Sequence, residues 1–383
     1  MYIIIPILCF SNIDKGFYRK SSIRRLTKLR KNPTIYMRNK IEVAKERVYM
    51  SNKNITISDV AEALGVSKTT VSRAISGKGR IGEDTRQKVL SYIEEHDYKP
   101  NVIAKSLAQS KTFNICVVMP GDYALMDLPF FQEAIMGIQE IAGMNEYDIL
   151  LCISQENDIS SLERIIMNRK VDGVILLRTY LKDAQIEFLQ RKGIPFVATG
   201  STPYPGIKQV DHDHESACRE LTSIVLMRNM KRVALLGSTE SIMVNQNRLK
   251  GYRDAYKALG QDVMEDLIYM NLESKAFIDR AVESVLEKKA ECILCMDDAI
   301  CGQVLRKLRQ ERVKVPEDIK IASFYNSSVL ENNLPSITSL SFDSKEIGML
   351  ACKNLLAQIE GEEVLERTLL SYEVVLKEST QMS

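Results

Sequence analysis

Hydrophobic and polar positions divide the chain into a short helical segment and a longer segment of alternating strands and helices. From residue 56 to residue 96 the apolar positions recur at helical spacing, which predicts helices over Ser58–Leu64, Lys68–Ile75 and Glu83–His96. After Thr112 the apolar positions form short continuous runs, each followed by a segment with helical spacing. The pattern therefore predicts a small all-α domain followed by an α/β domain.

Capping signals mark the first two helices. Thr56 and Asp59 have the spacing of a capping box, in which hydroxyl and carboxylate each accept from a backbone N–H of the other residue. Gly65 is expected to end the first helix because glycine tolerates the left-handed conformation of a tight turn, and Ser67 is expected to cap the second. Two short helices around a glycine turn, followed by a longer one, predict a helix-turn-helix DNA reader.

The second helix is the predicted recognition element. Its outer face carries side chains that donate hydrogen bonds to base edges or phosphates, and Arg73 suits a bidentate contact with guanine. Val89, Leu90 and Ile93 of the third helix are expected to point inward. From the helices alone, a solvated polar face on an ordinary three-helix bundle is the alternative. The predicted DNA contacts of this segment are Thr56, Ser67, Lys68, Thr69, Thr70, Ser72 and Arg73.

Eight strands are predicted in two series. They are Phe113–Met119, Asp148–Ile153, Gly173–Leu177 and Pro195–Thr199, then Arg232–Leu236, Glu291–Cys295, Ile319–Phe324 and Ile337–Leu340. Continuously apolar strands, each followed by a helix, imply parallel sheets covered on both faces, so the two series predict two doubly wound lobes. Because ligands bind at the carboxyl ends of such strands, the cleft between the lobes is the expected effector site.

The net charge of +2 hides an asymmetry along the chain. Residues 1–49 hold 12 lysines and arginines against 3 acidic residues, and residues 50–112 hold 10 against 7. The rest of the chain is acidic, so only the front is expected to meet nucleic acid. Eight dispersed cysteines, no convincing export signal and no bilayer-length apolar run predict a reduced cytoplasmic protein.

Residues 1–49 show no period that ends in helix caps, and Met50 lies just before the first organised segment. Lys45-Glu46 is compatible with a ribosome-binding sequence ahead of the Met50 codon. We expect translation to start at Met50. The alternative is a basic arm that helps to hold DNA, which peptides from residues 1–49 in the natively expressed protein would favour.

The run from Ile57 to Arg73, ISDVAEALGVSKTTVSR, resembles the opening of the lactose-repressor/purine-repressor family of bacterial transcriptional regulators. So do the segments 98–101 and 104–107, and the match extends with gaps from about residue 54 to 378. The resemblance implies a core like that of the periplasmic binding proteins. It also implies that the chain crosses between the two lobes three times.

The resemblance further implies a hinge at residues 100–112. The segment Asn101–Ala108 is too short to be a stable helix alone. In the family it folds when two copies meet on DNA, each inserting a leucine, here Leu107, into the minor groove. Asn101, Lys105 and Leu107 are therefore predicted DNA contacts, although without the family Leu107 would be interpreted as a minor core residue.

Candidate effector contacts lie at the predicted strand ends. Phe130 and Phe131 follow the first strand, and their rings can stack on a sugar or a base. Arg248, within RLKGY, matches the effector-binding arginine of the family, and Asp298 matches the aspartate of its Asn-Asp pair. A guanidinium fork suits paired hydroxyls or a carboxylate. Asp211 is a further candidate, and surface ion pairing is the alternative for Arg248 and Asp298.

Several positions depart from the family. Asp297 replaces the usual Asn, Ser323 and Tyr325 replace a Gly and an Asp, and Gly200 stands where some sugar-binding members carry Asp. These positions belong to the rim or the floor of the pocket. The identity of the effector therefore does not carry across from the family.

Two tempting signals are discounted. The run Asp211-His212-Asp213-His214-Glu215 has metal-binding residue types but no third ligand, so a solvated loop or an effector contact is preferred. Cys292-x-x-Cys295 lies inside a predicted strand without a second pair, which favours burial. No nucleophile motif or P-loop is present, and neither an enzyme, a metal nor a cofactor is predicted.

The predicted protein is a homodimeric regulator, expected to repress, whose operator affinity responds to a small molecule such as a sugar. It would bind a pseudo-palindromic operator, and dimers pairing into tetramers stay open. The predicted domains are 1–49 (untranslated or a basic extension), 50–99 (DNA-binding), 100–112 (hinge) and 113–378 (effector-binding and dimerisation core). The alternative is a stand-alone cytoplasmic solute-binding protein in which residues 50–112 are a structural appendage.

Overall fold

The chain forms two compact units, Met1–Ala108 and Gln109–Ser383, and the division falls inside the predicted hinge. The structure is a computed structural model that describes residues 55–77, 79–98, 106, 109–121 and 129–381, with the side chain of Val329 excepted. Residues 1–49, on which the prediction about the translation start rests, lie outside the described residues.

Residues 55–98 of the first unit, apart from residue 78, form three helices around one small core. They are α1 (Ile57–Leu64), α2 (Lys68–Ser76) and α3 (Glu83–Glu95). The predicted capping box is confirmed: the Thr56 amide donates to Asp59 Oδ2 at 2.8 Å and the Asp59 amide to Thr56 Oγ1 at 3.4 Å. Gly65 ends α1 with φ +65°, and Ser67 caps α2 by accepting from the Thr70 amide at 3.0 Å.

The core of this unit consists of Val60, Ala61, Val71, Ala74, Val89 and Tyr98. Ile93 packs against it, as predicted, but Leu90 is 40% exposed, so the inward prediction for Leu90 is wrong. Successive residues on a helix are rotated by about 100°. Because Val89 points at the core, Leu90 lies at the edge of that core, where water reaches its side chain.

The second unit contains two lobes, each built on a six-stranded sheet. The strands of lobe 1 are β1 (Asn114–Pro120), β2 (Asp148–Ser154), β3 (Gly173–Leu176), β4 (Phe196–Thr199), β5 (Lys208–His212) and β11 (Arg367–Leu370). Those of lobe 2 are β6 (Val233–Leu236), β7 (Ile268–Tyr269), β8 (Cys292–Cys295), β9 (Lys320–Ser323), β10 (Thr338–Ser341) and β12 (Glu373–Val375).

Both sheets have the predicted doubly wound topology. The strand orders are β11-β5-β4-β3-β1-β2 and β12-β10-β9-β8-β6-β7, and every pairing is parallel except that of β12 with β10. All eight strands of the two predicted series are present. Strands β5, β7, β11 and β12 lie outside those series, and the last three of them are short, lie at sheet edges and lack a continuous apolar run.

Helices cover both faces of each sheet. In lobe 1 they are α4 (Pro129–Met144), α5 (Ser160–Met167), α6 (Ala184–Lys192) and α12 (Ser344–Ile359). In lobe 2 they are α7 (His214–Met227), α8 (Met243–Ala258), α9 (Lys275–Glu287), α10 (Asp298–Gln310) and the single turn α11 (Ser328–Glu331). The chain crosses between the lobes three times, after β5, before α12 and after β11, as the resemblance implies.

The seven cysteines within the described ranges are buried free thiols, and Cys292 and Cys295 lie inside β8 as predicted. In the part of the chain that the structure describes, no helix is both long enough and apolar enough to cross a bilayer.

Candidate functional site

A cavity lies between the two lobes at the carboxyl ends of their strands. It encloses about 110 Å³, and about 830 Å³ when its open mouth is included. We call it the interlobe cavity. Its walls are formed by Phe130, Phe131, Leu177, Arg178, Thr179, Thr199, Gly200, Asp211, His212, His214, Ser238, Ile242, Val244, Asn245, Arg248, Asp297, Asp298, Tyr325, Phe342 and Ile347.

The structure brings all five predicted effector contacts together in this cavity. Phe130 and Phe131 lie in the first turn of α4, Asp211 in β5, Arg248 in α8, and Asp298 begins α10. Arg248 is 7% exposed and Asp298 is fully buried. Surface ion pairing is therefore the wrong explanation for these two residues.

Buried polar atoms without partners are concentrated on the cavity wall. Within the described residues, thirteen buried side-chain polar atoms have no hydrogen-bond partner, and seven of them belong to the cavity. The seven are Asp211 Oδ2, His212 Nδ1 and Nε2, His214 Nδ1, Asn245 Oδ1, Arg248 Nε and Asp298 Oδ2. Because such an atom costs about 1–3 kcal/mol when left unpaired, this concentration indicates a wall that a ligand completes.

Six rings form a continuous aromatic belt around the cavity. They are Phe131, Phe130, Tyr325, Phe342, His212 and His214. Tyr325 and Phe342 are stacked with centroids 6.3 Å apart, and the two histidine rings lie 4.9 Å (His212) and 4.7 Å (His214) from Phe342. The belt offers flat apolar surface beside the unpaired polar atoms.

Burial sets the protonation of the cavity. It raises the pKa of Asp211 to about 7 and raises that of Asp298. It lowers the pKa of His212 to about 4 and that of His214 well below its ordinary value. The His214 Nε2 lies 3.7 Å from Asp211 Oδ1. At neutral pH both imidazoles are therefore uncharged, and each offers one donor and one acceptor.

Direct contacts join the lobes beside the cavity. Leu181 donates its amide to the Ser241 carbonyl at 2.8 Å, and Met243 donates its amide to the Thr179 carbonyl at 3.1 Å. The Asn247 side chain donates to Ser201 Oγ at 2.7 Å. The lobes are thus in contact, with the cavity enclosed between them.

The departures from the family have local structural roles. Asp297 caps α10 by accepting from the Ile300 amide at 2.8 Å, a bond that the usual Asn would also accept. The Ser323 hydroxyl donates to the Tyr325 carbonyl at 2.7 Å, and the Tyr325 hydroxyl lies 3.1 Å from that of Ser344. Gly200 has φ +104°, a conformation that a side chain would strain.

The histidine-rich run is part of the cavity wall. His212 and His214 are 1% and 8% exposed, so the solvated-loop interpretation is wrong. No cluster of three metal-ligating side chains occurs among the residues described. The sequence did not assign these histidines to the effector site, nor Asn245 and Phe342. One signal could have identified the histidines: His212 directly follows Asp211, a candidate effector contact at the same strand end.

The predicted DNA contacts of the first unit fall into two groups. Thr56, Ser67 and Thr70 are engaged in helix capping, and the hydroxyls of Ser67 and Thr70 lie 2.8 Å apart. The other four predicted contacts are exposed on α2: Lys68, Thr69, Ser72 and Arg73. Asn101, Lys105 and Leu107 lie outside the described residues, and their DNA contacts stay predictions.

Two family models match separate parts of the chain. The model for bacterial regulatory proteins of the lacI family matches residues 56–101, and the model for a periplasmic binding protein-like domain matches residues 225–380. The HTH-type transcriptional regulator RegA of Clostridium saccharobutylicum is 27% identical over 332 residues, which cover 85% of this chain and 99% of the relative. Catabolite control protein A of Staphylococcus xylosus is 28% identical, with 82% and 94% covered.

Solved structures of regulators share the whole architecture. The transcriptional regulator CelR, solved as a complex with cellobiose, is 25% identical with a TM-score of 0.66, covering 85% of this chain and 99% of CelR. The lac repressor dimer bound to operator is 20% identical with a TM-score of 0.73, covering 86% and 100%, a likeness that shows the fold. A stand-alone solute-binding protein does not account for the match at residues 56–101. Residues 56–101 thus form a DNA-binding domain of the lacI family of bacterial regulatory proteins, and the chain, similar to such regulators over most of its length, is a DNA-binding transcriptional regulator.

Proposed function

We propose that this regulator binds operator DNA as a homodimer and that an uncharged, hydroxyl-rich molecule of sugar type, held in the interlobe cavity, controls its operator affinity. The observation that carries the proposal is the set of seven unpaired buried atoms on the cavity wall. CelR is a relative whose structure holds cellobiose, which supports a sugar here.

The wall suits hydroxyl groups because a hydroxyl both donates and accepts. Asp211 Oδ2, Asn245 Oδ1 and Asp298 Oδ2 are acceptors, whereas Arg248 Nε is a donor. The aromatic belt suits the apolar face of a sugar ring.

The exposed face of α2 is the proposed base-reading surface. Lys68, Thr69, Ser72 and Arg73 reach solvent there, and the cap at Ser67 stabilises the start of the helix that presents them. Side chains of these types contact base edges and phosphates in the major groove. A ligand that favours one arrangement of the lobes then changes DNA affinity, and DNA changes ligand affinity by the same factor.

An exposed apolar surface on lobe 1 supports the homodimer. Met136 and Met144 of α4 are 63% and 72% exposed, and Leu151 and Ile153 of β2 are 54% and 51% exposed. Strand β2 lies at the edge of its sheet. An apolar edge strand pairs readily with another chain unless it is covered, and we propose that a second copy covers it.

A ligand screen tests the effector. Full-length protein is heated with sugars, sugar phosphates and nucleobases, and we expect an uncharged sugar to raise the melting temperature of the wild type but not of Asn245→Ala. Stabilisation by a nucleobase alone, or by none of the compounds, contradicts the proposed class.

Sedimentation tests the dimer. Ile153→Lys is expected to shift the protein from dimer to monomer, since it places a charge on the apolar edge strand. Met227→Glu changes an exposed apolar residue on α7, 65% exposed against 51% for Ile153, and serves as the control. Equal sedimentation of both variants would move the interface elsewhere.

A further inference from the structure

Helices α4 and α12 are locked together at one point of backbone contact. A Cβ added to Gly137 of α4 would lie 2.1 Å from the Lys345 carbonyl oxygen, and one added to Gly348 of α12 would lie 2.0 Å from that of Ala134. No side chain fits between the two helices there. They therefore cannot slide past each other without losing this contact.

One end of this helix pair lies at the interlobe cavity. Phe130 and Phe131 in the first turn of α4 and Ile347 in the first turn of α12 line the cavity wall. Ser344, the first residue of α12, is in hydrogen-bond contact with the hydroxyl of Tyr325, which belongs to the opposite lobe. A change in the cavity or in the distance between the lobes thus acts directly on this end.

The other end lies at the start of the second unit. Helix α12 has 16 residues and is about 24 Å long. Glu360, just after its last residue, forms an ion pair with Lys111. The last turns of the helix also lie over Gly173, where an added Cβ would be 2.7 Å from Leu355 Cδ1 and 3.1 Å from Ile359 Cδ1.

Asp172, the neighbour of Gly173, holds the chain as it enters the core. Its Oδ1 accepts from the amide and the hydroxyl of Thr112 at 2.7 and 2.9 Å, and its Oδ2 accepts from the Phe113 amide at 2.9 Å. Phe113 is 8% exposed, and its ring packs 5.4 Å from that of Tyr147. Three bonds to one carboxylate are the strong part of this anchor, whereas the partly exposed Lys111 pair contributes little.

We propose that α4 and α12 act as one rigid connector that carries the state of the interlobe cavity to residues 111–113, where Asp172 is the positioning residue. The inference rests on the proposed effector control and gives it a route within the second unit. The segment that leads to the DNA-binding unit joins the core at these residues. A displacement of the α12 end therefore changes the position from which that segment starts.

Hydrogen exchange of the full-length protein, resolved at the Thr112 and Phe113 amides, tests the connector without an effector. Ile347→Ala removes a buried side chain at the cavity end of α12, and Ile186→Ala removes one from α6 on the other face of the same sheet. We expect the two amides to exchange at least about fivefold faster in Ile347→Ala than in the control, compared at equal global stability. Equal exchange rates at these two amides in both variants would overturn the connector. If either variant does not fold, the milder pair Ile347→Val and Ile186→Val is compared instead.

A second comparison tests the anchor. Asp172→Asn places an amide where the Phe113 N–H needs an acceptor, and we expect at least about tenfold faster exchange at Phe113, as for the loss of one charge-assisted bond. Asp148→Asn changes a nearby exposed carboxylate and is expected to change nothing. Unchanged exchange in Asp172→Asn overturns the anchor. If the wild type did not bind DNA, the proposed function would be wrong. The exchange results would still show whether α4 and α12 act as one rigid connector.

Discussion

Helix α2 and the interlobe cavity present polar side chains in opposite ways. On α2 the polar groups are either bonded locally, as Ser67 is to Thr70, or exposed to water, as Lys68 and Arg73 are. In the cavity, Asp298 and Arg248 are buried and keep unpaired atoms. The first surface needs no partner to pair its polar groups, whereas the second keeps buried polar atoms that a ligand can pair.

The two regions therefore differ in how each would recognise its partner. In the proposed function, DNA recognition uses one local segment whose stability does not depend on DNA contacts. Effector recognition uses buried polar groups that no other side chain or backbone group pairs, so that a ligand bound to them favours one arrangement of the lobes. Four substitutions or titrations test this contrast, in order of decreasing expected effect.

Removal of Asp298 should have the largest effect. Asp298→Ala is expected to weaken binding of the stabilising sugar by at least about a hundredfold, because a site built around a hydroxyl loses its acceptor. The effector-free protein should stay close to the wild type in stability, since the substitution removes the unpaired oxygen Oδ2 together with the bond that Oδ1 accepts from the Ala299 amide. Calorimetric titration and melting curves measure both. Asp262→Ala, an exposed carboxylate in the same lobe, is the control, and full sugar binding by Asp298→Ala would remove Asp298 from the site.

The pH dependence of stability should reveal two opposing groups in the cavity. Asp211 has its pKa raised from 3.8 to about 7, so the folded protein holds an extra proton between these values, and this contribution is lost as pH rises through about 7. His212 has its pKa lowered from 6.5 to about 4, so its contribution is lost as pH falls through that window. Their opposition predicts a shallow profile for the effector-free wild type.

Asp211→Asn separates the two contributions. The variant should lose more stability than the wild type as pH falls from 6.5 to about 4, by an amount on the order of a few kcal/mol, because the raised pKa of Asp211 no longer offsets the lowered pKa of His212. Urea unfolding across this range measures the slope. A profile for Asp211→Asn that matches the wild type would contradict the assignment.

Removal of Arg73 should affect DNA binding alone. Arg73→Ala is expected to cost about 1–3 kcal/mol on the cognate operator and to relax discrimination at one base pair. Sugar binding in the cavity should not change. Anisotropy titrations with operator variants measure the discrimination, with Arg80→Ala as an exposed arginine outside α2. Uniform weakening on every sequence would reassign Arg73 to a phosphate.

The smallest effect is expected at a helix cap. Thr56→Ala should lower the stability of the first unit by about 1 kcal/mol, since it removes the acceptor for the Asp59 amide. Thr69→Ala changes an exposed threonine of α2 and should reduce DNA affinity without lowering stability. Calorimetry of both variants separates a structural threonine from a contacting one, and equal destabilisation would erase that distinction.

The same contrast explains what the sequence could predict. The caps at Thr56 and Ser67 and the turn at Gly65 depend on residues within four positions, so the helix-turn-helix was predictable. Apolar runs predicted eight of the twelve strands, and the end of one of them pointed to Asp298. The short edge strand β7 offered no such run.

The cavity could be predicted only in part, because it is assembled from strand ends far apart in sequence. His212 lies where the chain first crosses between the lobes, and Phe342 lies where it crosses for the second time. Their rings are in contact, which no local pattern indicates. The contact of Gly137 with α12 likewise appears only when the two helices are placed side by side. Tertiary proximity, rather than residue type, makes these positions functional candidates.

The most direct test of the account is an anisotropy titration of full-length protein on the DNA upstream of its own gene. It is made across a salt series, with and without each sugar that raises the melting temperature. We predict binding at low salt that weakens steeply as salt rises, and an affinity that a sugar changes in the wild type but not in Asp298→Ala. Absence of binding at low salt with and without every sugar would contradict the account.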